Sequence, residues 1–358
     1  QLDLLALCST LASDASSDAD VAETLNAISG EQVTSQQATS VDFASVQLSN
    51  VGSRITALRT LGLRGSRGVS TAGLNLDISV DGKPVPVYAV AEVVKGLLRG
   101  GGASADGAET DTQSDTSTSS ILNPKLGIFI NGNIAFGDKD QTTNETGFDF
   151  DSTGITVGMD YLFTDHFVAG IALGYANAEA QFFGNTGEQS SDFYSGTLFG
   201  TIMHDKWFVA GIGGIANGDY DTIRRISGPL LSQDETASGT TDGNNLFGGL
   251  SAEFDFGRGH WRFGPAVAIN YIEADIDGFA ESGAGALDLV YGDQTAKSLT
   301  MKAGLRLGYV FTTGFGVLSL DGRGDFVREF ENDSQLISVN FVNDPFVNDP
   351  TQPSPGFT

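Results

Sequence analysis

Residues 159–175 read MDYLFTDHFVAGIALGY. Thr164 and Asp165 make a short polar turn, with Tyr161 and Phe163 before it and His166 and Phe167 after it. Alternating apolar runs extend away on both sides. Aromatic rings carry a large apolar surface, so a tight turn hemmed by them implies that something other than water lies beside these strands. Three more stretches repeat the pattern: TIMHDKWF (201–208), FDFGRGHWRF (254–263) and YVFTTGFG (309–316).

The strands between these turns alternate with period two. GITVGMDYLF puts Ile155, Val157, Met159, Tyr161 and Phe163 on one face and Gly154, Thr156, Gly158 and Asp160 on the other. SLTMKAGLRLGYVF puts Leu299, Met301, Ala303, Leu305, Leu307, Tyr309 and Phe311 on one face, and Ser298, Thr300, Lys302, Gly304, Arg306 and Gly308 on the other. Such alternation outlasts an ordinary soluble strand. Between the tight turns lie longer polar connections, at 138–147, 184–190, 227–242 and 277–290. Short and long connections therefore alternate, as in an outer-membrane barrel with short turns on one rim and long loops on the other. A soluble sandwich would not sort its connections by length onto two ends. Tyr161, Phe163, Phe167, Trp207, Phe208, Trp261, Phe263, Tyr309, Phe311 and Phe315 are expected to form an aromatic girdle at the membrane–water boundary.

Composition fits this reading. The 358 residues carry 19 Lys and Arg against 45 Asp and Glu, a net charge of -26. A chain so acidic does not suit nucleic acid, whose phosphates need a basic surface. No apolar run reaches the roughly 18 residues of a membrane-spanning helix. A lone cysteine, Cys8, supports neither a disulfide framework nor a metal cluster.

Four regions are expected. Residues 1–60 read as helical. Val41, Ala44, Leu48, Val51, Ile55 and Leu58 recur at spacings of three and four. The opposite face is uncharged polar, which suits a wet enclosure, so residues 33–60 are placed in or at the mouth of the barrel lumen. Residues 61–99 read as a small hairpin-helix connector. Residues 100–120 are a low-complexity linker. Residues 121–358 are a barrel of about nine strands. Alternation assigns Asn131, Asn133, Asp160, Arg262, Asn270, Lys302, Arg306, Asp321 and Arg323 to its lumen. The chain begins without Met and ends in a Pro-rich stretch, and reads as a piece of something longer.

The run GIFINGNIAFGDKDQTTNETGFDFDSTGITVGMDYLFTDHFVAGIALGY (127–175) resembles the start of an autotransporter translocator domain. DFGRGHWRFGP, YIEADIDGFAESGAGALDLVYGDQ and VREFEND fit the same family, and LNAISGEQVTSQQATSVDFASVQLSNVGSRITALR (25–59) resembles its passenger junction. The resemblance implies an all-β, antiparallel, up-and-down barrel of twelve strands in a Gram-negative outer membrane, with a helix through its lumen. About nine strands are present, so the barrel is incomplete at the C-terminus, with open edges near Ile128 and Leu320 or a neighbouring segment in the gap. Roughly three further strands are expected past Thr358. The implied partners are outer-membrane lipid, an N-terminal passenger absent from this sequence, the barrel-assembly machinery and periplasmic chaperones.

Chemistry is sparse. His166, His204 and His260 sit at three separate tight turns, a poor basis for a shared catalytic site. Glycines such as Gly170, Gly174, Gly211, Gly213 and Gly214 lie inside strands, where they make room or lower bulk rather than cradle phosphate. Some members of the resembled family cut off their own passenger at an Asn of the lumen helix. Here Asn50 is followed by Val51, not by the Asn of that subgroup. The acidic stretches GFDFDS and EADIDG read as a hydrated rim. No cofactor or enzymatic activity is expected. The alternatives are a porin-like outer-membrane channel with an N-terminal plug and, from another class, a soluble β-rich adhesin.

Overall fold

The computed structural model describes residues 9, 17–61, 63, 68–80, 83–84, 125–140 and 147–342, apart from 205, 232, 258–260, 314–315 and 332–336. The expected short helix of the connector and the linker at 100–120 lie outside the described residues. Two helices, α1 (Asp18–Ile28) and α2 (Thr34–Leu61), are joined through a 3-10 turn at Glu31–Val33. The strands are β1 (Gly68–Val80), β2 (Lys83–Pro84), β3 (Leu126–Lys139), β4 (Phe148–Thr164), β5 (Phe167–Phe182), β6 (Gly187–His204), β7 (Trp207–Ile226), β8 (Glu235–Phe254), β9 (Trp261–Ile276), β10 (Phe279–Ala280), β11 (Leu289–Tyr291), β12 (Gln294–Thr313), β13 (Gly316–Glu329) and β14 (Val339–Phe341).

β3 to β9, then β12 and β13, form an antiparallel up-and-down meander of nine strands in chain order. The far flank of β3 is taken by β1, which pairs with it in parallel from Gly68↔Gly127 to Val80↔Asp138. The β3 edge near Ile128 is therefore not open: of the two outcomes expected from the short strand count, it shows the second, a neighbouring segment lying against the edge. β2 folds back on β1. No described strand joins β13 to β1 or β2, so the sheet is an unclosed barrel among the described residues.

The nine meander strands span 14 to 20 residues. About 9–11 suffice to cross hydrocarbon at a 45° tilt, so the longest strands project well beyond it. The surplus shortens the connections relative to the sequence reading. β8 already starts at Glu235, which leaves 227–234 as its connection, and 184–190 shrinks to a turn at Phe183–Asn185 before β6. Residues 277–291 are more than a polar loop. Their strands β10 and β11 pair with each other and with β14 in a small separate sheet.

The two faces of the meander differ sharply. Ile155, Val157, Met159, Ile171, Leu198, Ile215, Leu250 and Leu307 are exposed on the outside, and Leu173 and Leu305 each keep 69% of their surface. Such a continuous apolar exterior needs a non-aqueous neighbour. On the inside, large side chains stand opposite glycines. Phe129↔Gly158, Phe199↔Gly170, Phe193↔Gly218 and Phe247↔Gly214 are direct cross-strand partners. A Cβ on any of these glycines would overlap the facing ring. Gly170 and Gly214 thus seat wall aromatics, while Gly213 lies where nothing approaches within 4 Å.

An arginine at Val157 or Leu305 is expected to cost about 2–4 kcal/mol near the membrane midplane, falling toward zero at the interfaces. Urea titration of the protein refolded into lipid vesicles reads this out. Unchanged midpoints would place the outer face out of hydrocarbon.

Candidate functional site: a lumen that holds a helix

α2 runs through the concave side of the sheet for 28 residues. Its sequence has no proline and one glycine, Gly52, and ends just before Gly62, a common helix stop. Phe43, Ala44 and Leu48 pack with Ala176, Ala178, Phe193, Ala216 and Tyr220. One or two turns later, Val51, Ile55 and Leu58 pack with Phe129, Leu162, Val168, Ala172, Phe199 and Phe208. The apolar stripe of the helix therefore lies against wall residues drawn from β3 to β9, where alanines leave room between the rings of Phe129, Phe193, Phe199, Phe208 and Tyr220.

Polar side chains flank that stripe and are equally buried. Ser35, Gln36, Ser40, Gln47, Asn50 and Arg54 are fully buried. Burying polar groups is costly unless each finds a partner. Near the start of α2, Gln36 Nε2 donates to Thr222 Oγ1 at 3.1 Å, and Gln36 Oε1 accepts from Gln294 Nε2 at 3.2 Å. Ser35 donates to Gln189, whose amide donates to Thr39 Oγ1 at 3.3 Å. Ser40 Oγ meets the Tyr220 hydroxyl at 2.5 Å, and Asn245 Nδ2 donates to the Ser40 carbonyl at 3.0 Å. In the middle, Thr156 Oγ1 donates to Gln47 Oε1 at 3.0 Å and accepts from Asn50 Nδ2 at 2.9 Å. Asn131 Nδ2 donates to the Asn50 carbonyl at 2.7 Å.

Lower still, Arg54 Nε donates to Asp160 Oδ2 at 2.7 Å, with both side chains at 0% exposure. The Arg54 guanidinium also lies 5.7 Å from the Phe129 ring centre. A pair this dry survives because each charge satisfies the other, and loss of one partner strands a buried charge. Gly127 faces the pair, and a Cβ there would collide with Arg54 Nη2. At the last turn Arg59 pairs with Glu253, which also lies 3.6 Å from Arg306 Nη1.

The order of these contacts fixes the polarity of the helix. Gln189, Thr222 and Gln294 stand at the long-connection ends of β6, β7 and β12, whereas Asp160, Phe208 and Glu253 stand near tight turns. α2 therefore enters at the long-connection mouth and finishes at the tight-turn rim. A cavity of about 1050 Å³ remains beside it, bounded among others by Asp42, Ser49 and Ser53 of the helix and by Glu253, Asn270, Lys302 and Asp325 of the wall.

The sequence-derived lumen set divides accordingly. Asn131, Asn133 and Asp160 are buried beside the helix. Asn270 and Lys302 line the cavity, and Arg306 joins Glu253. Arg262 is exposed at the rim. Backbone register pairs Asp321 with Gly308 and Arg323 with Arg306, but their side chains lie outside the described residues. The set overlooked the contacts on β6–β8, namely Gln189, Tyr220, Thr222 and Asn245. Neutral polar residues at inward parity were the available signal.

Of the expected girdle, Tyr161 and Phe163 sit 5.1 Å apart, Phe163 and Phe167 5.6 Å, and Trp261 and Tyr309 4.6 Å. Trp207, Phe163, Trp261 and Phe263 are exposed on the outside. Phe208 corrects the expectation. Trp207 takes the outward position, so its strand neighbour points inward, where Phe208 is 5% exposed and lies 5.6 Å from the Arg59 guanidinium. The side chains of Phe311 and Phe315 lie outside the described residues. A second aromatic row went unnoticed in the sequence. Tyr175 and Tyr194 are cross-strand partners with rings 5.2 Å apart, and the Tyr175 hydroxyl donates to Asp192 at 2.8 Å. Tyr271 donates likewise to Glu273 at 2.8 Å. On β9, ten residues separate Trp261 from Tyr271, a rise of roughly 25 Å at ~3.3 Å per residue and ~40° tilt. His166 and His204 meet across adjacent turns with ring centres 5.3 Å apart, and His260 lies outside the described residues.

A strand meander dry on its outer face, with a polar-flanked helix secured inside, is the architecture of an outer-membrane β-barrel. A family model for the autotransporter β-domain matches residues 128–356, and the chain belongs to that family. It is therefore the translocator domain of a Gram-negative outer-membrane protein. Esterase EstA of Pseudomonas aeruginosa is 25% identical over 226 residues, 61% of this chain and 33% of that protein. EstA of Pseudomonas putida matches at the same identity and shares. The chain spans about a third of the length of these curated relatives. Among solved structures, the translocator domain of autotransporter NalP from Neisseria meningitidis is similar at a TM-score of 0.45 and 18% identity, covering 69% of this chain and 79% of that one. The β-domain of the Bordetella autotransporter BrkA is similar at 0.42 and 16%, covering 57% and 79%.

Replacing Arg54 by Ala is expected to loosen the lower half of α2 by about 3–5 kcal/mol, whereas Arg54→Leu with Asp160→Leu recovers most of that loss. Amide exchange over residues 50–58 measures both. A Cβ at Gly174 would collide with Gln47 Oε1 and lie 2.5 Å from Ser195 Oγ, so Gly174→Val should raise exchange around Gln47 while Gly213→Ala leaves it unchanged. Equal effects of the two glycine substitutions would disprove the packing account.

Proposed function

We propose that this chain exports and then anchors an N-terminal passenger, with α2 as the trailing segment of the exported polypeptide. One observation carries the reading: α2 enters at the long-connection mouth and is bonded along its length to the wall, with its N-terminal end directed outward. On this reading residues 1–60 are the junction, 61–99 a connector, 100–120 a linker and 121–358 the barrel. The tight-turn rim faces the periplasm, and its aromatics together with the row of Tyr175, Tyr194 and Tyr271 mark the two membrane boundaries. Outer-membrane lipid, the barrel-assembly machinery and periplasmic chaperones are the partners such a domain requires. The enzymatic name of the Pseudomonas relatives belongs to those proteins, and we assign no reaction to this barrel.

The cavity beside α2 supports a second reading, a plugged porin-like channel. The two part in one experiment. An epitope placed ahead of Gln1 in the intact protein should reach the cell surface and be removed by external protease, while the protein in planar bilayers should conduct weakly. A tag retained in the periplasm together with a large, steady conductance would favour the channel.

A further inference from the structure

The long-connection mouth is covered by a folded unit that the export reading does not require. β10, β11 and β14 contribute two or three residues each, too few to stand as an independent sheet. They are held from two sides. On the wall side, the β7 residue Arg224 is fully buried and grips Glu281 with both ends of its fork, Nε to Oε1 at 3.0 Å and Nη2 to Oε2 at 2.5 Å. The same Nη2 donates to the Leu287 carbonyl at 2.8 Å. Glu281 also accepts from the Leu289 amide at 3.0 Å and from the Tyr291 hydroxyl at 3.2 Å. Burial, and then the Glu281 charge, hold the Tyr291 phenol far above its usual range. A backbone bridge between Ser238 of β8 and Ser282 completes the attachment.

The other side is the junction. Ala27 and Ile28, at the end of α1, pack against Ile226, Ala237, Ala284 and Leu287. Val33 is 2% exposed and shares a core with Phe279, Leu289 and Tyr291. Gly30 lies between the helices, and a Cβ there would lie 2.5 Å from the Tyr291 hydroxyl. Residues 27–33 are therefore part of the core of this unit.

We infer that residues 278–291, with β14, form a mouth latch that folds shut only when the junction reaches its seat. A polypeptide of arbitrary sequence in the mouth cannot supply Ile28, Val33 and the bare backbone of Gly30 together. The latch therefore stays open during passage and closes at the register in which α2 fills the lumen. The coupling between junction and latch stands on the contacts alone. Its timing rests on the export reading.

The test uses the whole protein in intact cells with a tag ahead of Gln1, external proteinase K, and mass-spectrometric mapping of cuts within 278–291. The wild type should resist cleavage. Gly30→Leu and Val33→Asp should raise the cleavage rate at least tenfold while the barrel keeps its unheated gel mobility. Arg224→Met should do the same, and Arg224→Met with Glu281→Leu should restore protection, because apolar replacement removes both buried charges together. Rapid cleavage in the wild type, or protection intact in both Gly30→Leu and Val33→Asp, would overturn the latch. Should one variant fail to insert, the other and the wild-type arm still decide. A tag that never appears outside sinks the export reading and the timing, whereas a labile loop under a surface-exposed tag sinks the latch.

Discussion

Backbone amides and carbonyls left unpaired in hydrocarbon cost several kcal/mol each, and that single constraint organises the molecule. Nine neighbouring strands satisfy one another across a continuous ladder from Leu126 to Glu329. Once the ladder is set, side chains have only two directions. Outward positions meet lipid and become Ile, Leu, Val, Phe and Trp. Inward positions meet α2, and the wall must leave space for a helix while keeping its own ring-sized side chains. Pairing Phe129, Phe193, Phe199 and Phe247 with a glycine across the strand meets both demands at those four positions.

The lumen is not a greasy plug socket. α2 contributes a stripe of Val, Ala, Leu, Ile and Phe, but its flanks carry Gln, Ser, Asn and Arg that find partners on the wall. Individual neutral hydrogen bonds contribute about 0.5–1.5 kcal/mol net. Their larger role is geometric, since a buried donor or acceptor out of register costs more than a correct contact gains. Sliding α2 by one turn would unpair Ser40, Asn50 and Arg54 together, so the contacts define one seat.

Much of this was readable because strand alternation is local. Two neighbours on one strand decide each other's direction, and inward parity at Asn131, Asn133 and Asp160 follows from Ile130, Ile134 and Met159 beside them. The same rule explains the error at Phe208. Two aromatics follow that turn, and nothing local says which takes the outward place. The arc that receives the helix was hidden for a different reason. Which wall side chains α2 leans on depends on volumes summed across many strands, a sum no single segment displays. Arg224 and Glu281 were equally hidden, because a strand end and a loop 57 residues apart share no period. The parallel strand β1 depends on where α2 releases the chain, at the rim where β3 begins.

The direction of α2 also decides how the anchor answers a pull. A passenger caught in flow or bound to a surface would draw on the N-terminal end of the helix, along the barrel axis. Contacts at Gln36, Ser40, Gln47, Asn50, Arg54 and Arg59 lie in line with that axis and are loaded together in shear. A strand peeled from a sheet edge fails bond by bond, whereas a rod seated along its length fails only when many contacts slip at once. The same polar contacts that fix the seat therefore give the tether its grip under tension, and they spread that grip over strands from β3 to β8 and β12.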